Sequence, residues 1–333
     1  MKRCQFSPAR LSAGLLSLCL LATPAVAEPL SLQFEPVPLD TEDPTVTRVG
    51  QLRYLGGLWL RSANRAFGGL SGLTLADNGR RLVAVNDRAY WFTADILRAD
   101  DGRLRGLSNA DLAPMRGRGG GRIGGGNAMR DAEAVERLPD GSLMTGFERR
   151  HRLWRYHPGP TPAQTTPTPF KTPPTLRFAP VNGGLEAIAA FANGNLLIVA
   201  EDYRDATGDF VGWLWRGDAW HDIRYAGTGQ FKPTDFAVLA DGDVIALERR
   251  FSAVGGVAGR VQRISAETIE PGARLAGTEL ARLERSLSVD NFEGIAAHRD
   301  LDGATLIYIL SDDNFNRLLQ RTLLLLFELD ETG

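Results

Sequence analysis

The chain has 333 residues, 43% of them hydrophobic and 23% charged, with a formal net charge of −2. That length suits one large domain or two ordinary ones, and the composition is globular rather than disordered. So small a net charge gives no footing for a general nucleic-acid binder.

Lys2, Arg3 and Arg10 open the chain, followed by the apolar run LSAGLLSLCLLA at 11–22 and then TPAVA. A basic start, a short apolar stretch and an A-x-A site form a secretory signal, with cleavage expected after Ala27 and a single mature domain at 28–333. The apolar run is too short for a comfortable bilayer span, so the mature chain is expected to have no transmembrane segment and to be periplasmic or secreted. Leu18 stands where a lipidated cysteine needs a small neighbour, which argues against lipid attachment at Cys19. Both cysteines, Cys4 and Cys19, fall in the removed segment, leaving no disulfide and no cysteine ligand in the mature protein.

Two strand candidates, LQFEPV and VGQLRYLGGLWLRS, precede a pattern that recurs five times. Its copies are SGLTLADNGRRLVAVNDR (71–88), AEAVERLPDGSLMTGFERR (132–150), LEAIAAFANGNLLIVAEDYR (185–204), TDFAVLADGDVIALERR (234–250) and FEGIAAHRDLDGATLIYILSDDNFNR (292–317). Each has a small or acidic start, an apolar stretch, an Asn-Gly or Asp-Gly pair, and a second apolar run ending in acid and arginine. Apolar runs this short read as buried strands, and Asn-Gly or Asp-Gly supplies the positive φ of a two-residue type I′ hairpin. Further strand candidates follow most copies: RLWRYHP and PTLRFAP after 150, FVGWLWRG and WHDIRYAG after 204, GRVQRIS and ARLAGTEL after 250. Four strands per repeat make a β-propeller blade.

Five blades follow from the copies. Six would need a degenerate blade in 30–66 or 251–290, and the competing architecture is two unrelated β-domains. The last copy ends in TLLLLFELD without an outer strand, so N-terminal strands are expected to complete that blade and leave no open edge. Two stretches stand outside the pattern. MRGRGGGRIGGGNAMR (115–130) has no strand-loop-helix context for a dinucleotide loop and reads as an interblade connection. HPGPTPAQTTPTPFKTPP (157–174) reads as an extended surface loop.

In a propeller the first strand of a blade lines the channel and the second runs back beside it. The start of one and the end of the other therefore share one channel mouth. The acids stand there: Glu133, Glu186, Asp235 and Glu293 at first-strand starts, and Asp87, Glu148, Glu201, Asp202, Glu248, Asp312 and Asp313 at second-strand ends. Arg149, Arg150, Arg204, Arg249 and Arg250 follow directly. Converging carboxylates need cations, arginines or protons to offset them. Hard oxygen ligands favour Ca²⁺, with Glu133, Glu186, Glu201, Asp235, Glu293 and Asp312 as candidate ligands. The arginines suit a small anionic substrate such as a phosphate ester. Ion pairing between blades is the ordinary alternative for any one of these pairs. His151, just after Glu148, is the best of the four histidines for acid–base work; no HExxH pattern and no G-x-S-x-G elbow is present.

The segment DAEAVERLPDGSLMTGFERRHRLWRY (131–156), with FGGLSGL, NGGLEAIA, KPTDFAVL, DNFEGIA and ILSDDNF in order, resembles the bacterial family called esterase-like activity of phytase, over roughly 48–329. The resemblance implies a β-propeller, export and a phosphoesterase or phytase-like activity. It carries to matching positions only: Glu133, Glu148, Arg149, His151, Glu186, Asp235, Glu293, Asp312 and Asp313. The first blade departs, with Ser71 in place of acid, which points to an asymmetric site. The expectation is an exported, Ca²⁺-favouring phosphoesterase, with Glu133, Glu148 and His151 catalytic and the five arginines holding substrate. Its rivals are a non-catalytic cell-envelope propeller and a Ca²⁺-dependent carboxylic-ester or lactone hydrolase.

Overall fold

Each repeat forms an antiparallel hairpin: Leu70–Ala76 with Arg81–Asn86, Ala132–Arg137 with Leu143–Phe147, Leu185–Ala190 with Leu196–Arg204, Lys232–Val238 with Val244–Ser252, and Asn291–Arg299 with Thr305–Asp312. The computed structural model describes Met1 and residues 28–252, 255–284 and 286–331, so the expected signal segment lies outside the described residues apart from Met1. The five hairpins belong to five separate sheets, and their first strands contact one another in a closed ring. The fold is a five-bladed β-propeller.

Closure comes from the N-terminus. Leu52–Arg61 pairs antiparallel with Thr322–Leu329 and becomes the fourth strand of blade five, with Gln33–Val37 outside it. A blade built from both chain ends removes the open edge that a linear array would leave. Neither stretch considered for a sixth blade forms one. Residues 256–284 instead give blade four its outer strands, Gly256–Ile264 and Thr278–Glu284, and lend Arg274–Leu275 to the edge of blade three.

Two local expectations are corrected. Of the five turns, four are three-residue connections rather than two-residue type I′ turns. In these, only the glycine takes positive φ (Gly141, Gly194, Gly242, Gly303), while Asp140, Asn193, Asp241 and Asp302 do not. The residue before each pair occupies the first turn position, and the Asp or Asn side chain accepts the backbone N–H two residues on, at 3.0–3.1 Å. Blade two's outer strand is Pro167–Phe170, drawn from the Pro/Thr-rich stretch, whereas PTLRF forms a 3₁₀ helix at Pro174–Phe178. An edge strand needs donors on one side only, so alternating prolines are tolerated there.

The core lies between blades. Trp91 meets Tyr156 edge-on across the blade one–two seam, and Tyr225 meets Phe236 across the blade three–four seam. Trp213 is fully buried and donates to Thr175 Oγ1 at 2.7 Å. Glu248 is wholly buried, with Tyr225 Oη, Gln262 Nε2 and Arg260 Nε donating to it. All its acceptor capacity goes to blade cohesion, which is how a buried charge is tolerated.

Candidate metal centre at one channel mouth

Every blade has a β-bulge where its inner strand starts. The strand register skips Gly72, Glu133, Glu186, Thr234 and Glu293 in the five blades. A bulge leaves one residue out of the ladder and re-aims its side chain. The glutamates among these equivalent positions feel one another across the channel: Glu186 is raised by the charges of Glu133 and Glu293, and Glu133 by that of Glu293. The residue of blade four equivalent to Glu133 is therefore Thr234, and that of blade one is Gly72.

Asp235, expected as a metal ligand, sits one residue past its bulge. Its carboxylate accepts backbone N–H groups from Leu73 (3.2 Å), Ile295 (2.9 Å) and Phe236 (2.9 Å), tying blades one, four and five together inside the channel. Asp235→Ala is expected to leave three buried donors unmet, costing at least about 3 kcal/mol of stability at about 1–3 kcal/mol each. Urea unfolding with and without Ca²⁺ checks this; the Ca²⁺-induced increment should stay as in the parent.

The tightest acidic cluster is Asp131, Glu133 and Glu148, whose ligand atoms all lie within 4.8 Å of one another. Asp131 was not among the expected site residues. It lies just before the strand Ala132–Arg137, and the bulge at Glu133 breaks the alternation there, so the sequence pattern gave no sign of it. Glu148 is held from the next blade, its Oε1 accepting the backbone N–H of Gly183 (2.6 Å) and Gly184. Asp312 and Asp313 clasp blade one in the same way, through Leu70 N–H (3.0 Å) and Gly69 N–H (3.3 Å). These clasps explain the Gly-Gly pairs. A Cβ on Gly68 would stand 2.5 Å from Asp313 Oδ1, and φ is +121° there.

The three clustered acids fit a hard divalent cation. Asp131 takes Arg149 Nε on Oδ2, and Glu148 takes both glycine N–H groups on Oε1. Glu133 accepts no hydrogen bond from any described residue. Asp131 Oδ1 and the Glu133 carboxylate accept no hydrogen bond from the described residues, and Glu148 adds a third carboxylate within reach of a cation that prefers carboxylate oxygen. Burial and the charges of Asp87, Glu148 and Asp131 push Glu133 well above the usual range. Burial, then Glu133, Glu201 and Glu148, push Glu186 up as well. Burial, helped by the charges of Asp131 and Asp313, takes Asp87 to about 7, and its Oδ1 is buried without a partner. Burial outweighs Arg249 at Glu293, which reaches about 7. Asp312 is raised too, by burial and then Asp87 and Glu293.

Two of the expected arginines reach this mouth, Arg149 paired with Asp131 and Arg249 from blade four. Arg249 donates through Nη2 to Glu201 Oε1 (2.8 Å) and through Nη1 to Asn291 Oδ1 (3.0 Å). Its Nε lies 3.2 Å from Glu293 Oε1 but lacks hydrogen-bond alignment. The remaining expected substrate arginines are occupied elsewhere. Arg150 donates to Met129 Sδ, Arg204 stacks on Phe210 at 3.7 Å, and Arg250 pairs with Glu284. His151 is tied to the 180–184 loop: its Nε2 is 2.8 Å from Pro180 O, its ring packs on Gly184, and its Nδ1 is buried without a partner.

The family model described as esterase-like activity of phytase matches residues 65–315, spanning all five inner hairpins and every residue of the acidic mouth. The chain belongs to the phytase-like family. Among solved structures, this phytase-like chain is similar to the α-L-arabinofuranosidase PaAbf62A from Podospora anserina, at 12% identity over 84% of this chain and 97% of that one, with a TM-score of 0.49. It is also similar to a luciferin-regenerating enzyme (12% identity, 80% and 94% covered, TM-score 0.41) and to a streptogramin B lyase (8% identity, 90% and 99% covered, TM-score 0.36). No curated protein matched. Among the described residues of this phytase-like protein, no helix is long and apolar enough to cross a membrane.

Proposed function

We propose that the protein is an exported hydrolase of phosphoesters that depends on a divalent cation, Ca²⁺ being favoured, held by Asp131, Glu133 and Glu148. The observation that carries this reading is the three-carboxylate cluster at the channel mouth, with ligand atoms all within 4.8 Å of one another. When bound, the cation supplies Lewis acidity to a phosphoryl oxygen and to an attacking water. Arg249, facing the cluster, offsets negative charge on the bound ester through its outward N–H groups. Glu186, whose carboxyl is raised by burial and then by neighbouring acids, is the group placed to give a proton to the leaving oxygen. Glu148 is oriented by the two glycine N–H groups rather than left to swing. Residues 1–27 act as the export signal and 28–333 as one propeller domain.

A second reading keeps the cation and changes the substrate. Of the expected arginines, Arg149 and Arg249 reach the acids, and each is already paired there, with Asp131 and with Glu201, which favours an uncharged carboxylic ester or lactone over a multiply charged phosphate. Parallel assays of p-nitrophenyl phosphate and p-nitrophenyl acetate, each with EDTA and with added Ca²⁺, test both. The phosphoester reading expects turnover of the phosphate that EDTA abolishes and Ca²⁺ restores. Cation-dependent turnover of the acetate alone would transfer the assignment to carboxylic esters, and no turnover of either would remove the enzymatic reading.

A further inference from the structure

The central channel has a second mouth, on the hairpin-turn face, and it is built differently. The inner strands of four blades finish there on small side chains, Ala76, Ala190, Ala237 and Ala296 among them. They leave the channel open as a cavity of about 670 Å³. Arg80 and Arg137 are exposed at its rim, whereas Glu136 lies inside. Glu136 Oε1 accepts the Arg137 backbone N–H at 2.7 Å and Thr74 Oγ1–H at 3.2 Å. Its other oxygen accepts nothing from the described residues, and none of their basic side chains pairs with it. Deeper in the channel stands Asp235, pushed up by burial and further by the Glu136 charge, with its own oxygens taken by backbone N–H groups. His298 at the cavity wall is pushed down by burial, so it brings no positive charge at neutral or alkaline pH. Burial lifts Glu136 itself to about 8.

A carboxylate on a cavity wall without a cationic partner is costly when ionised, and is offset by a proton or by a guest cation. A divalent metal is poorly served, because such ions want six or more hard oxygens and only one free carboxylate is offered. An organic cation matches both parts of the cavity, with N–H donors for the acid and a short carbon body for the alanine walls. We propose that the turn-face mouth is a binding site for a small organic ammonium ion, seated on Glu136 beside Thr74. The site is independent of the chemistry at the acidic mouth and lies at the opposite end of the channel.

Calorimetric titration of the full chain with n-butylammonium chloride at pH 8.5, where Glu136 carries its charge, tests this, with n-butanol as the neutral control. Saturable one-site binding of the amine and none of the alcohol is expected. Glu136→Gln should weaken the amine at least about tenfold, the size of one charge-assisted contact. Ala190→Leu, which fills the cavity and keeps the acid, should weaken it similarly while unfolding as cooperatively as the parent. Absence of saturable binding, unchanged affinity in a folded variant of either kind, or competitive displacement of the amine by Ca²⁺ would each overturn the assignment.

Discussion

Glu133→Gln should make the protein deaf to calcium and, at the same time, more stable without it. In the parent, Ca²⁺ at one hundred times its dissociation constant should raise folding stability by about 2.7 kcal/mol, as for any ligand that binds only the folded state. For a domain of this size that is a rise in melting temperature of about 5 °C. In Glu133→Gln the cluster of Asp131, Glu133 and Glu148 loses its middle carboxylate, and the rise should vanish together with cation-dependent turnover. The second half of the prediction separates a cation site from a structural acid. Glu133 accepts no hydrogen bond from a described residue and is pushed up chiefly by burial and by like charges. A neutral amide of the same shape removes that repulsion, so in EDTA at pH 8 the variant should melt above the parent. A Glu133 that served as a structural ion-pair partner would show the reverse, a lower melting temperature in EDTA with the calcium increment intact. Scanning calorimetry of the two proteins, each in EDTA and in Ca²⁺, reads both halves at once.

In EDTA, stability should fall as pH rises from about 5 to about 8, and Ca²⁺ should flatten that slope. The sign follows from the acids at the mouth. Asp87 and Glu293 are lifted to about 7 in the folded protein, and Glu133 and Glu186 are lifted as well. Unfolded, they titrate near 4. Between those values the folded state holds protons that the unfolded state has released, so stability declines with rising pH at up to about 1.4 kcal/mol per unit for each independent group. Coupling among neighbouring acids spreads the titration and lowers the slope per group. A net loss of about 2–3 kcal/mol across this window lowers the melting temperature by about 5 °C. Above the folded pKa values the decline levels off. The acids whose pKa values are lowered, such as Asp205 and Asp209, act below this window and with the opposite sign. A cation that neutralises the cluster removes the reason for holding protons. Melting curves at pH 5, 6, 7 and 8 with EDTA or Ca²⁺ check the pair of slopes; a flat or rising EDTA series would contradict the proposed burial of uncompensated acids.

Much of the acidic mouth was legible because it depends on topology more than on detail. Once five hairpins are placed radially, first-strand starts and second-strand ends must share a mouth, and Glu133, Glu148, Glu186, Glu201, Glu293 and Asp312 do. The finer assignments turn on register. Asp235 reads as the equivalent of Glu133 when the repeats are aligned by eye, yet the bulge in blade four falls on Thr234 and turns Asp235 toward backbone donors. Asp131 lies just outside the repeated segment, so repetition did not point to it. The arginines share a sequence position but not a fate. Arg249 reaches across to Glu201 of blade three and Asn291 of blade five, whereas Arg204 finds Phe210 to stack on, and Arg250 has Phe231 at 4.9 Å beside its pairing with Glu284.

The amino-acid sequence alone determined the hairpins, their number and the face on which the acids gather, since apolar alternation, turn residues and repeat order act over a few neighbouring residues. Tertiary structure alone decided which carboxylates touch, which backbone donors claim them, how blade two borrows a proline-rich edge strand, and that the channel's other end stays hollow around Glu136. Those outcomes depend on ladder register and on the space left by side chains from distant blades, and neither is encoded within any single repeat.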